Sequence, residues 1–264
     1  MSSILQKEIK LIITTFNVNS IRSRTDIVSL LIEKHNPEII ALQEIKCTPD
    51  LFPELIFPDY KCLVSGEKSY NGVAVCTKLD SIHFEKEFQE ALDQKRSLFI
   101  KFEKFTLMNI YFPHGDLRNN DKFYYKLTFY KKLVKFLKEN FTPDDPIIML
   151  GDFNVALTDF DVYDPELLKD TIGTMPEERD ALRELLSFGF VDTYRHLHPT
   201  EPGFTWFSYI GGEIWKNNGM RIDYILVTRP LLDKVNRIEV DLSLRRRRTP
   251  KPSDHAPLIM EIDL

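Results

Sequence analysis

Pro146-Ile147-Ile148-Met149-Leu150-Gly151-Asp152-Phe153-Asn154 decides how the chain is read. Its first five residues are apolar and begin at a proline, the signature of a short buried strand. Gly151 ends the run and leaves Asp152 and Asn154 two residues apart at the strand mouth. Alternation along an extended chain predicts that both side chains point the same way. A carboxylate beside an amide at a strand end is what activating a water or orienting a phosphate requires. Gly-Asp also opens many ordinary turns, so the stretch gains weight only from companions.

Three companions share its design. Thr14-Thr15-Phe16-Asn17-Val18-Asn19 closes the β-rich run Leu11-Ile12-Ile13, and Leu42-Gln43-Glu44 closes Ile39-Ile40-Ala41-Leu42. Ser253-Asp254-His255 precedes the run Ala256-Pro257-Leu258-Ile259-Met260. In all four, oxygen-rich side chains border an apolar strand, which argues for one shared site rather than four unrelated turns.

The 264 residues are 43% hydrophobic and 12% aromatic, enough for a full core in one large domain over residues 1–264, with a short tail of about residues 1–9. No linker, repeat or low-complexity tract divides the chain. The N-terminus lacks the apolar stretch of a signal peptide, and no run approaches membrane-spanning length. These features predict a monomer in the cytoplasm, on the nucleoid, or in the nucleus of a eukaryote. Cys47, Cys62 and Cys76 are odd in number and lack zinc-ligand spacing, so free thiols in a reducing compartment are expected. The net charge of −5 argues against indiscriminate coating of nucleic acid, but a carboxylate-lined metal site carries negative charge of its own. Arg245-Arg246-Arg247-Arg248, just before Asp254-His255, reads as a solvated loop, as a nuclear-import signal, or as a contact to a phosphate backbone.

Strand-like runs recur near residues 11–17, 38–43, 60–64, 72–77, 97–102, 106–112, 146–151, 222–228 and 256–262. Leu98–Phe102 and Thr106–Phe112 lie so close together that they predict an antiparallel hairpin. Helical spacing appears in Ile27–Lys34, stopped by Asn36-Pro37, and in Leu127–Leu137. A third helix is predicted over Leu182–Leu186, opened by a capping-box pattern at Thr174-Met175-Pro176-Glu177 and closed by Gly189. The pattern predicts an α/β (α+β) fold in which two mixed, largely antiparallel sheets pack together with helices outside.

No motif suits acyl transfer or nucleotide cradling. The chain offers hard oxygen donors instead. Glu44 suits Mg²⁺, with Mn²⁺ as a substitute. Asp152 is placed to take a proton from water, Asn154 to hold that water or a phosphate, and His255 to donate to a phosphate oxygen if a carboxylate orients it. Asp223 is the candidate for that carboxylate, or else it pairs with nearby Arg221. Tyr111 lies where a strand gives way to a loop and is by default a core residue; His114 beside it is by default a turn histidine.

With these residues in hand, the chain resembles the exonuclease III family of AP endonucleases, within the endonuclease/exonuclease/phosphatase superfamily that also contains DNase I. The matching elements run in order from about residue 11 to 262. They include Gln43-Glu44, Gly72-Val73-Ala74, Tyr111-Phe112-Pro113, Gly151-Asp152-Phe153-Asn154, Pro176-Glu177-Glu178-Arg179, Asp192-Thr193-Tyr194-Arg195, Arg221-Ile222-Asp223-Tyr224 and Ser253-Asp254-His255. The resemblance implies a four-layer sandwich and Mg²⁺-dependent cleavage of double-stranded DNA 5′ to abasic sites, with 3′-end trimming and 3′-phosphate removal. By position it implies Glu44 as main metal ligand, with Asn17 and Asp254 close by and Asp152 and Asn154 near. It implies Tyr111 and His255 on the scissile phosphate, Asp223 orienting His255, and Trp206, Met220 and Ile222 around a flipped abasic sugar. Asn19, His114 and Lys122 are further candidate substrate contacts. His114 stands where the family more often has Asn or Gln, Met220 where some members have Trp, and the segment between Asn154 and Pro176 is shorter than in some bacterial members.

The nearest rival is a superfamily phosphodiesterase for another substrate: RNA, a phospholipid, an inositol phosphate, or uracil-containing DNA, which needs a roomier pocket. A non-catalytic DNA-binding relative would be expected to lack Glu44, Asp152, Asn154 or His255, and all four are present.

Overall fold

The computed structural model describes residues 9–81, 83–84, 88 and 94–264. Most of the expected tail lies outside these residues; Ile9 itself exchanges backbone hydrogen bonds with Leu264. Among the described residues, one sheet contains β1 (Lys10–Asn17), β2 (Ile39–Gln43), β3 (Lys61–Ser65), β4 (Val73–Thr77), β11 (Val235–Val240) and β12 (Leu258–Asp263). Its order is β11-β12-β1-β2-β4-β3. The other contains β5 (His83–Phe84), β6 (Ser97–Lys101), β7 (Thr106–Tyr111), β8 (Ile147–Asp152), β9 (Phe190–Asp192) and β10 (Asp223–Thr228), in the order β5-β6-β7-β8-β10-β9. Each sheet has one parallel pair, β1 with β2 and β7 with β8, and the remaining pairs are antiparallel. The predicted hairpin is β6–β7.

Period-two alternation builds the layers. Leu11 and Ile13 of β1, Ile39 and Ala41 of β2, Ile148 and Leu150 of β8, and Ile225 and Val227 of β10 share one core between the sheets. The alternate residues face outward. Ile147, Met149 and Leu226 pack under α2 (Asp121–Asn140) and α3 (Pro176–Leu186). Ile40 and Leu42 pack under α1 (Thr25–His35). The result is helix, sheet, sheet, helix. Each fully buried aliphatic side chain contributes about 1.5–3 kcal/mol.

The helix ends follow local chemistry. Asn36 adopts φ 44° and ends α1 at Asn36-Pro37, as expected. At α3 the cap falls one residue later than the sequence pattern indicated. Glu178, not Glu177, accepts from Met175 N at 3.2 Å, while Thr174 turns its hydroxyl to carbonyls of its own loop.

Two expectations are corrected. Cys62 and Cys76 stand opposite each other in the β3–β4 ladder and are joined as a disulfide, leaving Cys47 as a free, buried thiol. Arg221 does not pair with Asp223. Its guanidinium is fully buried and meets Asp161 at 2.7 Å and Asp192 at 2.8 Å, over the ring of Tyr224. No helix of the described residues is long and apolar enough to cross a membrane.

Arg221 therefore locks the start of β10 to two loops. Arg221→Met leaves two buried carboxylates without their common cation. Chemical denaturation should show a loss of about 3–5 kcal/mol.

Candidate active site

The inward-facing rows that are apolar in mid-sandwich turn polar at one end, in both sheets together. Thr15 and Asn17 continue the row of Ile13, and Gln43 continues that of Ala41. Asp152 continues the row of Leu150, and Asp223 precedes Ile225. The first polar tier is sealed: Gln43 donates to Thr15 Oγ1 and to Asn109 Oδ1, and Asn109 donates to the carbonyls of Leu42 and Ala74. Above it lie the candidate groups.

Register brings them together. Asp152 stands beside Tyr111 in the parallel β7–β8 pair and opposite Asp223 in the antiparallel β8–β10 pair. Gly151 permits this: its φ is +139°, and a Cβ there would collide with the Ile110 carbonyl. Asp152 is therefore flanked on both sides. Its Oδ2 accepts from Asn17 Nδ2 at 2.8 Å and lies 3.8 Å from His255 Nε2. The other imidazole nitrogen, Nδ1, is 2.8 Å from Asp223 Oδ2. Asp223 is placed to orient the imidazole, its contact with Nδ1 turning Nε2 toward Asp152.

Asn154 is close to Asp152 for a reason the sequence reading did not anticipate. Its φ is +55°, so strand alternation has already ended. Its backbone N–H donates to Asp152 Oδ1 at 2.9 Å and its side-chain amide to the Phe112 carbonyl at 3.0 Å. An Asx-type turn, not an extended pair, sets the geometry.

The opposite wall comes from the other sheet. Glu44 adopts φ +51° just past β2, accepts from Asn17 at 2.9 Å, and pairs with Lys46 at 2.7 Å. Lys46 also donates to Asn19, whose amide donates to Asp254 at 3.0 Å. The second Asp254 oxygen accepts from the Trp206 indole at 3.2 Å. Asn17 thus bridges Glu44 and Asp152, and Asp254 closes the ring beside His255.

Crowded carboxylates dominate the electrostatics. Burial, together with the charges of Asp223 and Glu44, pushes Asp152 up to about 7, against the pull of His255. Burial alone would lower His255, but the carboxylates of Asp223 and Asp152 overcome it and hold the imidazole up to about 10. Glu44 pays a burial penalty that Lys46 and Asn17 outweigh, so it stays below its usual range. Burial and the charges of Glu44 and Asp152 keep Tyr111 a neutral phenol. The donor set is all oxygen, with carboxylates in excess of nearby cations. It therefore fits a hard divalent ion such as Mg²⁺. Asp152, Asp223 and His255 could also hold an ion, but the hydrogen bond between the last two engages the imidazole Nδ1.

Glu44, Asp152, Asn154, Asp254 and His255 form the polar wall of a cleft of about 220 Å³, whose remaining lining is His114, Ile172, Gly173, Trp206, Met220 and Ile222. Met220 and Ile222 are buried against Ala156 and Val162, and Trp206 packs on them half-buried. Trp206 is therefore a wall rather than a core residue.

Two expected substrate contacts fare differently. Arg245 is corrected: it is buried, and its guanidinium donates to the Asp254 and Phe207 carbonyls, because the turn Leu242–Arg245 folds it under the loop. Arg246, Arg247 and Arg248 are exposed. Lys122 lies exposed on the first turn of α2, and no contact of its side chain brings it to the cleft. The sequence reading missed Lys46, Ile172 and Gly173. It also missed Arg96, which stacks 4.7 Å over the Tyr111 ring.

The family model described as "Endonuclease/Exonuclease/phosphatase family" matches residues 14–255. The exodeoxyribonuclease III of Haemophilus influenzae is 35% identical, over 94% of this chain and 98% of that protein. The structure of an AP endonuclease from Archaeoglobus fulgidus superposes with TM-score 0.89 at 34% identity, covering 96% of this chain and all of that one. A Neisseria 3′ phosphatase bound to a product DNA hairpin superposes with TM-score 0.89 at 33% identity, with the same coverage. The matched segment contains every polar group of the site, from Asn17 to His255, and the chain belongs to the endonuclease/exonuclease/phosphatase family.

Proposed function

We propose that this protein is a Mg²⁺-dependent DNA repair nuclease that cleaves the backbone 5′ to abasic sites, and that the same centre trims 3′ ends and removes 3′ phosphates. The observation that carries the reading is a single small cleft with two walls, one of Glu44, Asp152, Asn154, Asp254 and His255, the other of Ile172, Trp206, Met220 and Ile222. At about 220 Å³ it is smaller than the roughly 300–1,000 Å³ of drug-sized ligand sites. Its apolar wall offers a deoxyribose without its base a surface to pack on, next to the groups that would act on its phosphate. The small volume favours an abasic site over a uracil nucleotide.

Glu44, with Asn17 and Asp254 nearby, would hold the cation, which when bound neutralises charge on the scissile phosphate. Asn154 and Tyr111 position water and phosphate. Asp152 accepts the proton of the attacking water, whose oxygen bonds to phosphorus as the bond to the upstream 3′ oxygen breaks. The leaving 3′ oxygen takes a proton from solvent water, so the products are a 3′ hydroxyl and a 5′ phosphate on the abasic sugar. His255, kept cationic by Asp223, donates to a phosphate oxygen throughout. Arg246–Arg248 would contact backbone phosphates, which position the duplex without specifying the lesion.

Initial rates on duplexes carrying an abasic analogue, a uracil or a recessed 3′ end test the reading; it predicts the abasic duplex to be cleaved well ahead of uracil. Glu44→Gln should weaken Mg²⁺ binding in calorimetry by at least about 10-fold while the fold persists.

The pH profile of kcat/KM should rise as Asp152 loses its proton at about 7, and fall as His255 loses its proton at about 10. A bound cation pulls the acid limb lower. Asp223→Asn removes the carboxylate that best supports the imidazolium, so the alkaline limb should move to lower pH. An unmoved limb would assign it to another group.

Trp206→Ala should reduce the abasic-to-intact rate ratio by roughly 10-fold. A core role would instead appear as a stability loss of about 3–5 kcal/mol.

A further inference from the structure

Lys126 lies on the buried face of α2, in helical phase with Phe123, Tyr130 and Leu133, where the pattern calls for an apolar residue. Its side chain and that of Glu178 are both fully buried, and they pair at 2.6 Å. Burying such a pair for stability alone gains little over apolar residues of the same volume, because both charges must be desolvated. What distinguishes this pair is its other partners. Lys126 Nζ donates to the carbonyls of His114 at 3.1 Å and Asn154 at 2.8 Å. Glu178 Oε2 accepts from the backbone N–H of Gly173 at 2.6 Å and of Met175 at 3.2 Å.

His114, Asn154 and Gly173 come from three separate loops, and all three line the cleft. Asn154 sits at φ +55°, a left-handed conformation that asparagine tolerates, and the carbonyl bond from Lys126 ties down the peptide that follows it. Gly115 is left-handed as well (φ +83°), and a Cβ there would press on the Lys126 side chain at 2.9 Å. The Lys126 stem is therefore closely packed against the loop that carries His114.

We infer that Lys126 and Glu178 are positioning residues that hold these three loops in register, and so set both the placement of Asn154 beside Asp152 and the width of the lesion cleft. Neither side chain reaches substrate. The pair acts through the backbone it ties, and the inference deepens the nuclease reading by naming what fixes the pocket wall. An electrostatic signature follows. His114 faces Lys126 from α2, Glu178 from α3 and Glu44 from the loop after β2. Desolvation and the Lys126 ammonium push its imidazole below the usual range, and the two carboxylates offset this only in part.

The test uses the double variant Lys126→Met/Glu178→Gln, which leaves no unpaired buried charge. The substrate is whichever phosphodiester the wild-type protein cleaves, abasic duplex or recessed 3′ end. Failure of the abasic reading thus shows in the wild type and leaves this comparison intact. The expected result is single-turnover cleavage reduced by roughly 10- to 100-fold, since displacements near 1 Å have that effect. Affinity for intact duplex should stay within about twofold, and the NMR titration of His114 should move to higher pH. Wild-type cleavage in the folded double variant would overturn the inference, as would a rate loss matched by an equal loss of intact-duplex affinity. If the double variant does not fold, Lys126→Arg decides. It keeps the charge and the pair with Glu178, but a planar guanidinium cannot meet both carbonyls in the ammonium's geometry. Reduced turnover at unchanged duplex affinity supports the positioning role, and wild-type turnover excludes it.

Discussion

One buried imidazole between two carboxylates organises this end of the molecule. His255 faces Asp223 through one nitrogen and Asp152 through the other, and all three side chains are almost entirely buried. Leaving any one of them unpaired would cost several kcal/mol. The surrounding backbone must therefore hold all three in place. The register of β7, β8 and β10 does so, along with the glycine that lets β8 approach β7. Asn17 adds the link to the neighbouring sheet by donating to both Asp152 and Glu44.

Much of this was legible in the sequence because two-residue periodicity is a strong signal. The nine strand-like runs fall on observed strands, and the four polar strand ends converge on one site as expected. The unseen strands are short or irregular. β9 has three residues, and β11 alternates poorly, with two exposed residues between buried ones and a register shift against β12. The fine geometry of the site was illegible for a different reason. Asn19, Glu44, Lys46 and Asn154 all have positive φ, between +44° and +55°. Glu and Lys carry no local preference for that conformation, so only tertiary contacts reveal it. Lys46 was hidden for this reason, whereas Lys126 did leave a trace as a lysine on an apolar helix face.

The charge pattern also resolves an apparent conflict. A chain of net charge −5 is an unlikely partner for a polyanion until its charges are placed. Asp152, Asp223, Asp254 and Glu44 are gathered at the one point where a cation would meet the phosphate. Arg246–Arg248 remain outside on the surface. Arg245, though part of the same basic run, serves the fold by holding the carbonyls that precede His255 and follow Trp206.

The site is drawn from both sheets, with Glu44 and Asn17 on one and Asp152, Tyr111 and Asp223 on the other. No covalent link crosses between those two groups at the site itself. Their separation is set by the thickness of the apolar layer below, where Ile13 and Val75 meet Leu150 and Ile225. That layer works as a spacer of fixed gauge. A substitution deep in it that keeps the protein folded but adds or removes a methylene changes the gap between Glu44 and Asn17 on one sheet and Asp152 and Asp223 on the other. The working range of the reaction centre is thus encoded in side-chain volume some distance from any reacting atom.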